Sequence, residues 1–134
     1  MPRLHEKLEK LYERSPVIPY NKDSKFIIMS DCHRGQGNLA DNFLPNQNIF
    51  YGALEYYYTQ GFTYIELGDG DELWENRSIN VILRTHSRVF RLLNNFYREN
   101  RLYMMYGNHD IVKHRRSLLK PECRNYYCDT VKKE

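Results

Sequence analysis

Three short stretches of the chain concentrate groups that bind metals: Asp31-Cys32-His33, Gly68-Asp69-Gly70-Asp71-Glu72 and Gly107-Asn108-His109-Asp110. In extended backbone, residues i and i+2 point the same way, so Asp31 and His33 can reach one ion while Cys32 turns away. A carboxylate can bridge two ions. Carboxylate, amide oxygen and imidazole together suit Mn²⁺, Fe or Zn²⁺ rather than a thiophilic site. Gly68 and Gly107 permit tight turns and close backbone approach just before the ligands. Any one of these stretches alone is ordinary turn chemistry, because Asx and Gly residues commonly follow strands. Three of them, each placed directly after an apolar run, point to a metal centre.

The apolar runs are the elements that must position these groups. Phe26–Met29, Thr63–Leu67 and residues 102–106 are predicted strands. Helical spacing predicts helices over residues 3–14 and 47–60, with Gly61 where a C-terminal cap is expected. One continuous apolar stripe from Ile79 through His86 to Tyr97 predicts a single long helix. After the leading helix the order is strand, helix, strand, helix, strand. Crossovers of this length join parallel strands by right-handed connections, which predicts an α/β fold with a mainly parallel sheet. In such sheets ligands gather beyond the carboxyl ends of the strands, where all three chemical stretches lie. In the loop from Arg34 to Asn46, the residues Asn38, Asp41 and Asn42 are candidates for the mouth of the site. His86 is expected to be a satisfied, partly buried core histidine. Arg84, Arg88 and Arg91 fall off the stripe and are expected to form a solvated face.

The pattern Asp31-x-His33, Gly68-Asp69-x-x-Glu72, Gly107-Asn108-His109-Asp110 resembles the calcineurin-like metallophosphoesterase superfamily. The gaps of 38 residues from Asp31 to Asp69 and 39 from Asp69 to Asn108 suit its β-α-β units. The resemblance covers residues 25–112 and is closest in motif style to bacterial UDP-2,3-diacylglucosamine pyrophosphatase-like members. It implies hydrolysis of a phosphate monoester, diester or pyrophosphate at a centre of two divalent ions, with Mn favoured and Fe or Zn as alternatives. By the same resemblance Asp31 and His33 hold the first ion, Asp69 bridges both, and Asn108 holds the second and touches the phosphate. His109 protonates or stabilises the leaving oxygen, and Glu72 orients that histidine. Two ions clamp the phosphoryl oxygens and activate water near neutral pH, so no protein nucleophile is required. Arg34, directly after His33, is expected to add a cation against the substrate phosphate.

The superfamily has two further motifs after the third, a lone His and a Gly-His-x-His run. Here no Gly follows Gly107, and His114 is the sole later histidine. The expectation is a single domain over residues 1–134 that forms a partial metallophosphoesterase sandwich with its second half absent. A homodimer or a missing C-terminal half is then the expected partner. The alternative is a catalytically inactive fragment or a protein-binding scaffold with the same fold.

Composition narrows the classes. Hydrophobic residues make up 41% and charged residues 28%, which argues against wholesale disorder. No apolar run is long enough to span a membrane, and the charged N-terminus has no apolar signal core, so a cytoplasmic protein is expected. Residues 1–112 hold 13 Lys and Arg against 14 Asp and Glu, whereas residues 113–134 hold 7 against 3. A neutral body with a basic tail argues against a nucleic-acid interface. Cys32, Cys123 and Cys128 form no CxxC pair, which fits reduced thiols rather than a disulfide framework.

Overall fold

A computed structural model describes residues 3–114 of the chain. The elements are α1 (Leu4–Arg14), β1 (Phe26–Met29), α2 (Gln47–Thr59), β2 (Thr63–Leu67), α3 (Ile79–Thr85), α4 (Ser87–Arg98) and β3 (Leu102–Met105). Short 3₁₀ turns at Leu44–Asn46 and Ile111–His114 precede α2 and follow β3. The fold is α/β, and the three strands form an open, all-parallel sheet in the order β1-β2-β3. Residues 115–134, with most of the basic tail, Cys123, Cys128 and a strand candidate at 126–131, lie outside the described residues.

Alternation along the strands decides which face each side chain takes. Tyr64, Glu66, Leu102 and Met104 point to the buried face. There they meet Leu54 of α2, Ile82 and Leu83 of α3, and Val89, Phe90, Leu93 and Phe96 of α4. Phe96 is fully buried, with the rings of Tyr58 and Tyr64 at 5.1 and 6.0 Å. Truncating a buried Phe to Ala costs ~3–5 kcal/mol. Helices α2, α3 and α4 therefore cover one face of the sheet. On the opposite face Ile28 is 55%, Leu67 49% and Met105 45% exposed. All-parallel sheets are normally covered on both faces; among the described residues this one is covered on one.

Helix α2 ends as expected at Gly61. Its φ of 77° is free for glycine, and the Phe62 N–H closes the turn on the Tyr57 carbonyl at 2.9 Å. The stripe from Ile79 to Tyr97 does not form one helix. The backbone leaves helical geometry at His86, where φ is −106° and ψ is 32°. The i→i−4 bonds still run through the break, from His86 N–H to the Ile82 carbonyl and from Phe90 N–H to the His86 carbonyl. At this break buried His86 reaches across to Asp41, Nε2 to Oδ2 at 2.7 Å. Side-chain periodicity survives such a kink and cannot reveal it. Arg84, Arg88 and Arg91 do face solvent, with Arg88 lying over the Tyr51 ring at 3.7 Å. Helix α1 buries none of its residues. No helix among the described residues is long and apolar enough to cross a membrane.

Candidate metal centre

The loops after β1, β2 and β3 are laced together by main-chain bonds. Asp31 N–H donates to the Gly68 carbonyl, His33 N–H to Asp69, Arg34 N–H to Gly70 and Glu72 N–H to Arg34. Leu73 N–H reaches the His109 carbonyl at 3.1 Å and ties the second loop to the third. Gly68, with φ of 90°, sits so close to the third loop that an added Cβ would lie 2.7 Å from the Gly107 nitrogen. A Cβ on Gly107 would overlap the Asp69 carboxylate. These two glycines let the second and third loops touch, as the sequence requires of them.

The route by which Asp31 and His33 converge differs from the expected one. β1 ends at Met29, and both residues adopt left-handed backbone, with φ of 54° and 49°. Asp69 does the same at 49°. Of the four non-glycine residues with positive φ among the described residues, three are thus candidate ligands, and the fourth is Asn100. Non-glycine residues in this region carry strain that surrounding structure must hold, and such strain clusters at functional sites. A pleated i, i+2 alternation is not what brings Asp31 and His33 together.

The result is a compact donor set. His33 Nε2 lies 3.6 Å from Asp31 Oδ1. One ligand atom each from Asp31, His33 and Asp69 fall within 4.8 Å of one another. The Ser30 hydroxyl, donating at 2.6 Å, and His33 hold the Asp31 carboxyl below the ordinary carboxylate range. Two oxygens and an imidazole nitrogen in reach of a single point fit a divalent cation of the Mn, Fe or Zn type. Asp69 Oδ1 also accepts the His109 N–H at 2.8 Å, so the carboxylate is tied to the third loop.

A second group within the same reach is His33, Glu72 and His109. Here the hydrogen bonds decide the role of Glu72. Its Oε2 faces both imidazoles, His109 Nδ1 at 2.7 Å and His33 Nδ1 at 3.0 Å. Its Oε1 accepts the N–H groups of Trp74 and Glu75 at 3.0 and 3.4 Å. A carboxylate has about four acceptor sites, and all four are used. Burial works to raise the Glu72 pKa, but the bonds from His33, Trp74 and His109 outweigh it and hold the group below its usual value. Glu72 is therefore an anchor that holds two imidazoles by Nδ1, with His33 Nε2 turned toward Asp31. Trp74, 64% exposed, stacks on the His109 ring at 3.8 Å and donates its Nε1–H to the Asn108 carbonyl at 2.9 Å. The Asn108 side chain is exposed at the end of β3.

Arg34 is not where a substrate contact must be. It is fully buried, with all three of its nitrogens engaged. Nε donates to Asp71 Oδ1 at 2.7 Å, and Nη1 and Nη2 form a fork on Glu66 at 2.8 and 2.9 Å. Lys113, equally buried, lies 2.8 Å from Asp71 Oδ2 and 2.6 Å from Asp110 Oδ2. Asp110 in turn accepts the N–H groups of Gly70 and Gly107 at 3.1 and 2.7 Å. Burial disfavours the Asp71 carboxylate, but Arg34 and Lys113 hold its pKa well below normal. Sequence adjacency to His33 suggested an exposed cation; the backbone turn at His33 instead sends Arg34 under the sheet end.

Asp41 is likewise turned inward, away from the mouth of the site. It accepts the N–H groups of Gly37, Phe43 and Leu44 and faces His86. The buried network of Glu66, Asp71, Asp110 and Lys113 corresponds to no motif in the sequence. Its one available signal was Glu66 inside an otherwise apolar strand. Comparisons with protein-family models, curated proteins and solved structures give no significant match.

Proposed function

We propose that the chain is a metal-dependent phosphoesterase of the calcineurin-like kind, built on a centre of two divalent ions, Mn²⁺ before Fe or Zn²⁺. The observation that supports this most is the double use of Glu72. One carboxylate fixes a candidate ligand, His33, and a candidate proton donor, His109, through the same atom type of each ring. Carboxylate–imidazole pairs of this kind orient metal-binding histidines and raise their basicity.

Asp31, His33 and Asp69 would hold the metal, and Asn108 would extend the set from the loop after β3. Divalent ions, when bound, supply Lewis-acid charge against phosphoryl oxygens and lower the pKa of water. The chain's own part is positional. Asp69 is pinned by the His109 N–H, and His109, clamped between Glu72 and Trp74, presents Nε2 to protonate the leaving oxygen. Cys32 offers no alternative nucleophile: burial pushes its thiol up to about 11.

Metal stoichiometry in Mn²⁺, with Asp69→Asn as control, tests the reading first. About two tightly held ions per chain, lost in the variant, support a complete centre. One weakly held ion supports a half-site completed by a second copy or by further chain. No retained metal overturns the proposal. His109→Ala is expected to lower turnover by ~10²–10⁴-fold, the usual share of general acid–base catalysis, with metal binding nearly intact. Equal loss of metal removes His109 from that role. The rival reading, a protein-binding scaffold with the same fold, requires stable folding with no hydrolysis of any phosphoester at millimolar Mn²⁺.

A further inference from the structure

Beside Asp31 lies a cavity of about 400 Å³, walled by Ser30, Asp31, Asn42, Phe43, Asn46 and Phe50 among others. This is within the ~300–1,000 Å³ range of small-molecule sites. Its place relative to the centre is set by the sheet order. Asp31 enters the centre from the loop after β1, Asp69 from that after β2, and His109 from that after β3, with Trp74 of the second loop stacked on the His109 ring. The cavity is therefore on the β1 flank, across the centre from the imidazole that serves the leaving oxygen.

The chemistry of the walls is specific. No Lys or Arg lines the cavity, and its one carboxylate is Asp31. An anionic group there meets a carboxylate and no protein cation. Asn42 and Asn46 bring two carboxamides, and among the described residues neither side chain has a hydrogen-bond partner. Each carboxamide offers both donors and an acceptor. Phe50, set edge-on against Phe43 at 5.0 Å, adds an apolar wall. The combination suits an uncharged substituent with hydrogen-bonding edges and an apolar face.

We propose that this cavity seats the substituent that stays on phosphorus, so that the substrate is a phosphodiester whose retained group is uncharged and hydrogen-bonding. The proposal rests on the phosphoesterase reading above and narrows it. A monoester has nothing to place on the β1 flank. A diester fills both flanks, with its leaving group beside Trp74 and His109 and its retained group between Asn42 and Asn46.

Three esters with one leaving group test this in Mn²⁺: thymidine 5′-(p-nitrophenyl) phosphate, ethyl p-nitrophenyl phosphate and p-nitrophenyl phosphate. The first is expected to exceed the other two in kcat/KM by at least ~10-fold, mostly through KM. Asn42→Ala and Asn46→Ala, both at exposed positions, should each narrow that ratio several-fold, about the effect of one neutral hydrogen bond. Arg91→Ala, on the solvated face of α4, should leave it unchanged. Equal turnover of the two diesters, a preference for the monoester, or equal losses on all esters in the Asn variants overturns the proposal. Binding of thymidine 5′-monophosphate against ethyl phosphate, followed by calorimetry with Mn²⁺ present, reads the cavity without turnover. Tighter nucleotide binding that is lost in Asn42→Ala supports the subsite even if no ester is hydrolysed. In that case the phosphoesterase reading fails and the subsite stands. Equal binding of the two ligands overturns the subsite.

Discussion

Glu72 is the residue on which the geometry of the centre turns. It lies in the second loop yet fixes a side chain from the first and one from the third. Glu72→Gln keeps the size but replaces an acceptor oxygen by an NH₂ group, so two imidazoles and two main-chain N–H groups compete for one carbonyl oxygen. Mn²⁺ affinity and kcat are each expected to fall ~10–100-fold, as when the partner of a metal-binding histidine is removed. Calorimetric titration and steady-state kinetics measure the two separately, and an unchanged metal affinity would remove Glu72 from the orientation of His33. Arg34 makes the opposite point. Its guanidinium neutralises Glu66 and Asp71 out of water, so Arg34→Met leaves buried Glu66 without its cation and Asp71 with Lys113 alone. The expected cost is ~3–5 kcal/mol in urea unfolding. A raised KM for esters with stability intact would restore a substrate role.

At the scale of elements, the three strands, their succession along the chain and their parallel sense were legible in the sequence, because short apolar runs bounded by polar loops and joined through helices leave few alternatives. The candidate ligands were legible for the same reason: each follows a strand end. What the sequence hid were side-chain partnerships between distant segments. The stripe through His86 has the same period whether or not the helix bends, and the bend falls where His86 turns in to meet Asp41. That contact predicts a pH dependence. Burial works to raise the Asp41 pKa, but bonds from Gly37 and His86 win and lower it. A carboxyl whose folded pKa lies below its unfolded value of about 3.9 adds stability above that value. This contribution fades as pH falls through the folded pKa. Wild type is therefore expected to exceed Asp41→Asn in Tm at neutral pH, with the gap closing below about pH 4. A constant gap from pH 7 to pH 3 would show that the pair contributes shape but not charge. Gly107→Ala tests the contact between loops. Its methyl group displaces Asp69, so Mn²⁺ binding should be lost or weakened at least ~10-fold, while the sheet, which Gly107 does not enter, still folds.

The whole molecule is asymmetric. Helices pack on one face of the sheet, and Ile28, Leu67 and Met105 remain uncovered on the other. Exposed apolar surface of this kind binds hydrophobic dyes. Ile28→Glu with Met105→Glu should lower anilinonaphthalene sulfonate fluorescence without lowering Tm, and unchanged fluorescence would mean that this face is covered in solution. The left-handed backbone at Asp31, His33 and Asp69 reaches further, into the history open to such a chain. Most substitutions in a folded protein are uphill in free energy. At Asp31, exposed and strained, Asp31→Gly relaxes a φ that glycine adopts freely. The metal-free variant is expected to be no less stable than wild type by urea unfolding, although it discards a ligand. A lineage no longer selected for catalysis meets no folding barrier at that position. Loss of this candidate ligand then costs no folding free energy, and Asp31 is where relaxed selection would leave its first mark.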